Sequence, residues 1–370
     1  MLAGLTALAL AACGSDDNTG GTASSAPASG ATTSAAAPTT PAVTLSGTLN
    51  GGGSSAQGNA QKAWVAGFQT ANSGVTVNYT VSDSGSGRKG FLDGSLDYAG
   101  SDGALSTAEL TQSKARCFGG SGIDLPNYIS PIAIAFNLSG VTTLNLKPET
   151  IAKIFNGTIT TWNDPAITAD NSGVSLSGPI TVVHRSDDSG TSKNFEDYLH
   201  QTAPDVWTYD VTNTWPVQVG QGANGTQGVV QTIMSAAGTI GYADASGVDP
   251  SLGKVSIGVG SAFVAPTADA AAAIVSASPL DTTRAANDIV VNLDRKSTAA
   301  GVYPAVLLSY LVVCDTYDTQ AKVDLVSGFA NYVTGADGQS AAAKAAGSAA
   351  LSTDLAAKVA TAVASIKVKG

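Results

Sequence analysis

The sequence predicts an α/β fold, because three strand-like runs each lead through a loop of serine and glycine into a helical pattern. The clearest run alternates apolar and polar residues with the period of two that a half-buried strand shows. In open α/β sheets the loops that follow strands lie at the carboxyl edge, where small polar ligands bind. The runs are residues 43–49, 75–81 and 181–185, and the loops after them are 50–55, 82–87 and 186–191.

Helical patterns follow these loops in order. The first is predicted through Trp64 and Phe68, and the second from Arg88 to Leu92. The third continues through Phe195 and Leu199, with Ser189 as a candidate cap. Near the carboxyl terminus apolar residues recur at helical spacing, and the sequence leaves open whether that stretch packs as a helix. These residues are Leu355, Val359, Val363 and Ile366.

The loop after the third run has the chemistry of an anion site. The run ends at Arg185, and a helix restarts at Ser189, Gly190 and Thr191. The first N–H groups and the positive dipole end of that helix would face whatever Arg185 binds, and glycine leaves room for close approach. Alone, the segment also fits an ordinary capped helix with a surface arginine. The two other Ser/Gly loops favour the anion site.

The composition describes a globular chain that is poor in charge. Its 370 residues suffice for two core-bearing units, and 12% are charged against the roughly 25% that is typical. The net charge of −10 and the lack of a Lys/Arg stripe argue against nucleic acid as a partner. A bound anion would be opposed by the field of the whole protein, so its affinity must come from local hydrogen bonds.

The amino-terminal segment predicts export and a lipid anchor. Residues 1–12 are small and apolar, and Leu10 to Cys13 resemble the box before a lipidated cysteine in bacterial lipoprotein signals. Since no Lys or Arg precedes the run, we expect a basic region upstream of Met1; a chance cysteine is the alternative. Residues 13–45 would form a flexible tether, because their Ser, Thr, Ala, Gly and Pro cannot bury a core. We therefore expect an extracytoplasmic protein anchored to the bacterial cell membrane through Cys13.

Two further cysteines and two histidines limit the remaining chemistry. Cys117 and Cys314 allow one pairing, and in an exported protein we expect a disulfide, with two buried thiols as the alternative. The histidines are His184 and His200, which offer no metal-ligand spacing. We therefore expect neither a metal site nor a cofactor.

In these three loops and in the segments between them, the chain resembles the phosphate-binding proteins that serve ABC-type phosphate uptake in bacteria. The stretch from Arg185 to Thr191 is the most similar segment. The resemblance covers about residues 46–330 and is thin from 250 to 300. The other similar segments are Leu49–Ala56 with Trp64, Val75–Tyr79, Ser84–Gly87, Leu96–Asp102, Pro131–Asn137, Leu144–Gly157, Thr161–Asp164 and Thr239–Tyr242.

The resemblance implies a two-lobed type II periplasmic-binding-protein fold with two interlobe crossings and the ligand in the cleft. Placing the crossings at 122–126 and 300–304 assigns the two lobes. Lobe one is then residues 46–121 plus 304–370, and lobe two is residues 122–303. Cys117 and Cys314 both fall in lobe one, which favours their disulfide.

The resemblance also implies the residues that bind inorganic phosphate. Arg185 would bind two oxygens in its fork, and Asp187 would brace Arg185 rather than touch the ligand. The family usually has Thr-Phe where this chain has Ser55 and Ala56, so the first loop could be displaced by one residue. The remaining contacts would be donated by Ser55, the N–H of Ala56, Ser84, Ser189, Gly190 and Thr191.

Asp102 would decide which anion is bound. A carboxylate accepts hydrogen bonds only, so it suits a protonated phosphate and meets sulfate lone pair to lone pair. A site built for a ligand hydroxyl rejects an analogue that lacks it by roughly 10⁴ to 10⁵. A structural helix cap is the alternative role for Asp102, and sulfate or molybdate is the alternative ligand.

Two other classes of protein compete with this interpretation. His184, Ser189 and Asp187 or Asp188 can be written as a hydrolase triad, but His184 and Arg185 would point to opposite faces of a strand. No Gly-x-Ser-x-Gly elbow is present either. A cell-surface adhesion protein would also explain the tether, but an adhesion function gives no reason for Arg185 to stand beside three serine-rich loops. We therefore expect a monomeric binding protein without catalytic residues, with phosphate and an ABC permease as partners and the membrane reached only through the lipid.

Overall fold

A computed structural model describes residues 44–370, and the fold is of the predicted α/β class. The predicted signal 1–12, Cys13 and the tether up to residue 43 lie outside the described residues. The strands are β1 Gly47–Ser54, β2 Val75–Ser82, β3 Tyr98–Ser101, β4 Gly122–Phe136, β5 Thr143–Leu146, β6 Thr181–Arg185, β7 Gln221–Ala223, β8 Thr239–Asp244, β9 Gly253–Val259, β10 Ala262–Val264, β11 Val306–Cys314, β12 Thr316–Tyr317 and β13 Lys367–Val368. The helices are α1 Gly58–Ala71, α2 Ser84–Asp93, α3 Thr107–Arg116, α4 Pro148–Phe155, α5 Pro165–Thr168, α6 Gly190–Thr202, α7 Gly225–Ser235, α8 Ala268–Ala277, α9 Gln320–Thr334, α10 Ala336–Ala346 and α11 Thr353–Ala364.

The long strand β4 joins the two halves of the main sheet. The sheet runs in the order β2-β1-β3-β11-β4-β8-β6-β7, and β9, β10 and β5 extend it from β4. Up to Pro131, β4 pairs with β11, and from Ile132 it pairs with β8. This switch at residues 131 and 132 divides the main sheet into two halves. The lobe boundaries at 121/122 and 303/304 remain predictions.

Glycines in β1 allow the first loop to lie close against its neighbours. Gly53 has a φ of +131°, in the region that favours glycine, and a Cβ there would lie 2.2 Å from the carbonyl oxygen of Gly100. The helix that follows is fixed by Trp64, which is fully buried and whose indole N–H donates to the carbonyl of Gly338 at 2.8 Å. The first contact sets the end of β1 against β3, and the second ties α1 to α10.

The starts of α2 and α6 follow from their capping residues. The helix predicted from Arg88 begins earlier, at Ser84, because Asp83 accepts a hydrogen bond from the N–H of Ser86. Ser189 caps α6 by accepting from the N–H of Ser192. Asp83 follows β2 directly and Ser189 lies four residues after the end of β6, so both helices start at the carboxyl edge of the sheet.

The disulfide between Cys117 and Cys314 is confirmed, with a Cα–Cα distance of 5.3 Å and both residues fully buried. It ties the end of α3 to the end of β11. The carboxyl-terminal stretch does pack as helix, because α11 buries Leu355, Val359 and Val363. Within residues 44–370, none of the helices combines the length and apolar character needed to cross a membrane.

Candidate functional site

Asp102 lies where the three Ser/Gly loops meet. It is 1% exposed and follows directly after β3. Its Oδ1 accepts from Ser54 Oγ at 2.6 Å, and its Oδ2 accepts from Thr191 Oγ1 at 3.1 Å. Its backbone N–H donates to Ser84 Oγ at 3.1 Å. Asp102 therefore contacts residues from all three loops, two through its carboxylate and one through its backbone N–H.

Arg185 ends β6 beside this cluster and is 3% exposed. Its Nε donates to Asp187 Oδ1 at 2.6 Å, its Nη2 pairs with Asp187 Oδ2, and its Nη1 lies 3.4 Å from Thr191 Oγ1. A guanidinium has five N–H donors, so two remain for a ligand. Because Asp187 balances the charge of Arg185, the pair positions donors more than it adds net positive charge.

The start of α6 supplies backbone donors to the same place. Ser189 N–H donates to the carbonyl of Asn213 at 2.9 Å, which fixes the turn. Within the part of the chain that the structure describes, the N–H groups of Gly190 and Thr191 have no acceptor. These are the first N–H groups of a 13-residue helix, where the dipole favours an anion.

Glycine at position 190 allows the second loop to approach α6. A Cβ at this position would lie 2.5 Å from Ser84 Oγ and 2.8 Å from Asp102 Cβ. The N–H of Gly85 also donates to the carbonyl of Asp188 at 3.1 Å. Any larger residue at 190 would therefore push the two loops apart.

Two serine hydroxyls in the cluster still have a proton to donate. Ser84 Oγ accepts from the N–H of Asp102, and Ser189 Oγ accepts from the N–H of Ser192. A hydroxyl that accepts can also donate its own proton. Both side chains are buried, so a donor here is shielded from competing water.

The first loop presents its residues differently from the prediction for Ser55 and Ala56. Ser55 Oγ accepts from the N–H of Thr226 at 3.0 Å and lies 3.2 Å from Thr226 Oγ1. The N–H of Ala56 donates to Ser54 Oγ at 3.1 Å. Ser54, one residue earlier, is the side chain of this loop that reaches Asp102.

The sequence reasoning missed Ser54, Ser309 and Asn194 at this site. Ser309 Oγ donates to Asp102 Oδ1 at 2.8 Å, and Asn194 Nδ2 donates to the Asp102 carbonyl at 2.5 Å. Ser309 had one available signal: it is the small polar residue of β11, whose other members are aliphatic residues, Tyr310 and Cys314, and all of which is buried.

The electrostatics of the cluster are those of a buried acidic pocket. Burial raises the pKa of Asp244 to about 6, its hydrogen bonds with Ser246 oppose the rise, and the charge of Asp102 adds to it. Burial, followed by the charges of Tyr98 and Asp102, raises the pKa of Tyr79, whose hydroxyl donates to the Ser54 carbonyl at 3.0 Å. An anion must therefore be held by directed hydrogen bonds, as the net charge of the chain suggests.

The hydrolase alternative lacks its geometry. His184 Nδ1 lies 2.9 Å from the carbonyl oxygen of Arg185, and its ring stacks on Trp215 at a centroid distance of 5.5 Å. Ser189 Oγ is engaged in capping α6. Among the described residues there is no hydrogen bond from Ser189 to a histidine, and no group of three His, Cys, Asp or Glu residues suits a metal ion.

A cavity of about 680 Å³ adjoins Asp102 and is also lined by Lys193, Arg284 and Arg295. Arg284 pairs with Asp288 and Arg295 pairs with Asp197. Ser54, Ser84 and Arg185 do not line it. The cavity therefore adjoins Asp102 without including Ser54, Ser84 or Arg185.

Comparisons with known proteins agree on the kind of protein. A family model described as a PBP superfamily domain matches residues 21–337. Phosphate-binding protein PstS 3 of Mycobacterium leprae is 36% identical over 319 residues, which cover 84% of this chain and 83% of that protein. Phosphate-binding protein PstS 2 of Mycobacterium tuberculosis is 37% identical over 289 residues, covering 76% of this chain and 77% of its own length.

Solved structures agree with these relatives. The high-affinity periplasmic phosphate-binding protein PfluDING, bound with phosphate at pH 8.5, superimposes with a TM-score of 0.72 at 25% identity. The match covers 85% of this chain and 93% of that one.

Proposed function

Because the chain belongs to the phosphate-binding proteins of the PBP superfamily, we propose that it captures inorganic phosphate outside the membrane and delivers it to an ABC-type permease. One observation carries the proposal: Ser54 and Thr191 donate to the buried carboxylate of Asp102, Ser84 accepts from the N–H of Asp102, and Arg185 reaches the same cluster through Thr191. This arrangement surrounds one acceptor with many donors, which is the pattern that a partly protonated oxyanion requires.

The proposed ligand contacts fill the donors that the protein leaves open. Arg185 contributes its two remaining N–H groups, and Gly190 and Thr191 contribute backbone N–H groups. Ser84 and Ser189 donate through their hydroxyls. Ser55 and Ala56 complete the set from the first loop, where the anion would compete with Thr226 and Ser54 for their donors.

Selectivity for phosphate over sulfate would come from Asp102. The ligand hydroxyl of a protonated phosphate donates to the carboxylate, whereas sulfate carries no proton near neutral pH. Placing two acceptors against each other in a water-poor site is unfavourable, and such a site can discriminate by roughly 10⁴ to 10⁵. The same argument disfavours molybdate.

The proposed mechanism is capture and delivery without covalent chemistry. Phosphate enters the open cleft, lobes 46–121 plus 304–370 and 122–303 close on it, and its hydration shell is replaced by fixed donors. The closed form is then recognised by the permease. A monomer held at the membrane by lipid on Cys13 would meet that permease within the reach of the tether.

A calorimetric titration of ligand-free protein with inorganic phosphate tests the function. Wild type should bind one phosphate, and Arg185→Ala should weaken binding more than tenfold, because the oxygen contacts of the fork are lost. Arg185→Lys keeps the charge without the fork and should also bind weakly. Lys89→Ala removes an exposed cation of α2 and is the matched control. If Arg185→Ala binds phosphate as wild type does, the site is wrongly assigned.

A further inference from the structure

Ser309 and Ser54 both donate to the same oxygen of Asp102. Ser309 Oγ lies 2.8 Å from Oδ1 and Ser54 Oγ lies 2.6 Å from it, while Thr191 Oγ1 lies 3.1 Å from Oδ2. All four side chains are at most 1% exposed. The orientation of the carboxylate is therefore set by three protein hydroxyls, from the end of β1, the middle of β11 and the start of α6.

The acceptor positions of this carboxylate can be counted. A carboxylate offers about four lone-pair positions, two on each oxygen. The two serines fill both positions of Oδ1, and Thr191 fills one position of Oδ2. One position on Oδ2 remains, beside the hydroxyl of Thr191 that Arg185 Nη1 contacts. Among the described residues, the open acceptor thus lies on the oxygen that Thr191, one of the proposed anion contacts, also donates to.

Among the described residues, no cation helps to orient the carboxylate of Asp102. In residues 44–370 no lysine or arginine lies within ion-pair distance of Asp102, and Arg185 pairs with Asp187 instead. Ser309 sits in the middle of β11, and its hydroxyl is directed at the oxygen away from Thr191. It can therefore act on the ligand through Asp102 without touching it.

We propose that Ser309, together with Ser54, is a positioning residue that sets the preference of this site for a protonated oxyanion over an unprotonated one. This inference rests on the proposed function, since it concerns the same anion. By occupying Oδ1, the two hydroxyls leave Asp102 a single, fixed acceptor for the ligand hydroxyl. When one donor is lost, the carboxyl group can turn, and the phosphate hydroxyl loses its aligned acceptor while sulfate loses nothing.

The test is the ratio of sulfate to phosphate dissociation constants in a set of Ser309 variants. Ser309→Ala and Ser309→Val remove the hydroxyl. Ser309→Thr keeps the hydroxyl on a side chain that has the same shape as valine, so the threonine and valine variants form a matched pair. We expect the ratio to fall about tenfold in the alanine and valine variants, the size of one lost hydrogen bond to a charged group. Threonine should stay within about threefold of wild type. Phosphate is titrated by calorimetry and sulfate by competition, both at pH 8.

Several outcomes would overturn the inference. An unchanged ratio in Ser309→Ala, or equal weakening of phosphate and sulfate, would leave Ser309 a purely structural role. Thermal unfolding of each variant checks that it is folded, and Ser54→Ala, which removes the other donor to Oδ1, should lower the ratio in the same direction. A wild type that does not bind phosphate would instead overturn the proposed function on which the inference rests.

Discussion

Glu196 accepts a hydrogen bond from the N–H of Thr212 at 2.9 Å, in the loop that also holds the start of α6. The carbonyl of the next residue of that loop, Asn213, accepts a hydrogen bond from the N–H of Ser189. Glu196 is fully buried, and among the described residues its other oxygen has no partner. A titratable group thus contacts Thr212, the neighbour of the residue that accepts from Ser189 at the proposed anion site.

The stability of the protein should fall as pH rises through the titration of Glu196. Burial raises the pKa of Glu196 to about 8, from an ordinary value of 4.5, and the hydrogen bond from Thr212 opposes this. Between these values the folded chain keeps a proton that the unfolded chain has released, so the contribution is complete below about pH 4.5 and lost by about pH 8. Glu196→Gln should remove this dependence. Between pH 5 and pH 9 the unfolding free energy of the variant should therefore fall by roughly 2–4 kcal/mol less than that of wild type.

Urea unfolding of wild type and Glu196→Gln at intervals from pH 5 to pH 9 measures the effect. A constant offset between the two proteins reflects packing of the amide, so the change of the difference with pH is the relevant quantity. Glu149→Gln, at the exposed start of α4, controls for the lost charge. Parallel curves for wild type and Glu196→Gln would show that Glu196 does not titrate in this range.

Asp102→Asn should abolish most of the discrimination between phosphate and sulfate. Asparagine can keep one oxygen for Ser54 and Ser309 and place its amide N–H₂ toward the ligand, where it can donate to either anion. From a ratio on the order of 10⁴, we expect a fall of about 100-fold or more.

Parallel titrations with phosphate and sulfate check this expectation. Asp97→Asn is a suitable control, because Asp97 pairs with Lys322 outside the cluster. Retention of the wild-type ratio by Asp102→Asn would assign selectivity to other residues.

Residue types at the start of α6 were sufficient to predict its cap and its donors. Ser189, Gly190 and Arg185 are close in sequence, and local hydrogen bonding fixes their arrangement. Ser309 differs because it is 207 residues from Asp102, and its contact depends on how β11 lies between β3 and β4. The pairing of distant strands is decided by the whole core, so a polar residue in an apolar run can mark Ser309 as unusual but cannot identify Asp102 as its partner.

The first loop shows a second limit of sequence reasoning. Ser54 and Ser55 are adjacent and chemically identical, and strand alternation decides which one faces Asp102. The register of β1 depends on its pairing with β2 and β3 and on the close approach of Gly53 to Gly100. A shift of one residue, invisible in composition, exchanges the two side chains.

The disulfide should contribute to stability without contributing to the anion site. Cys117 and Cys314 are 197 residues apart, and closing a loop of that length stabilises by about 2–5 kcal/mol. Cys314 is five residues beyond Ser309 on an extended strand, roughly 17 Å at the usual rise. Cys117→Ala with Cys314→Ala should therefore lower the urea midpoint and leave phosphate affinity within about twofold. A loss of affinity in the folded double variant would contradict this separation.

Gly190→Ala should weaken phosphate binding at least tenfold, because a Cβ would lie 2.5 Å from Ser84 Oγ and keep the second loop away from α6. The donors of Ser84 and of the helix start could then no longer reach one anion together. Gly228→Ala is the matched control, since its Cβ in α7 would meet Ala223 at an ordinary 3.7 Å. In that control the substitution should slightly stabilise the helix. Calorimetry measures the phosphate affinity of both variants. If Gly190→Ala binds phosphate as tightly as Gly228→Ala does, the approach of Ser84 to α6 is not needed for binding.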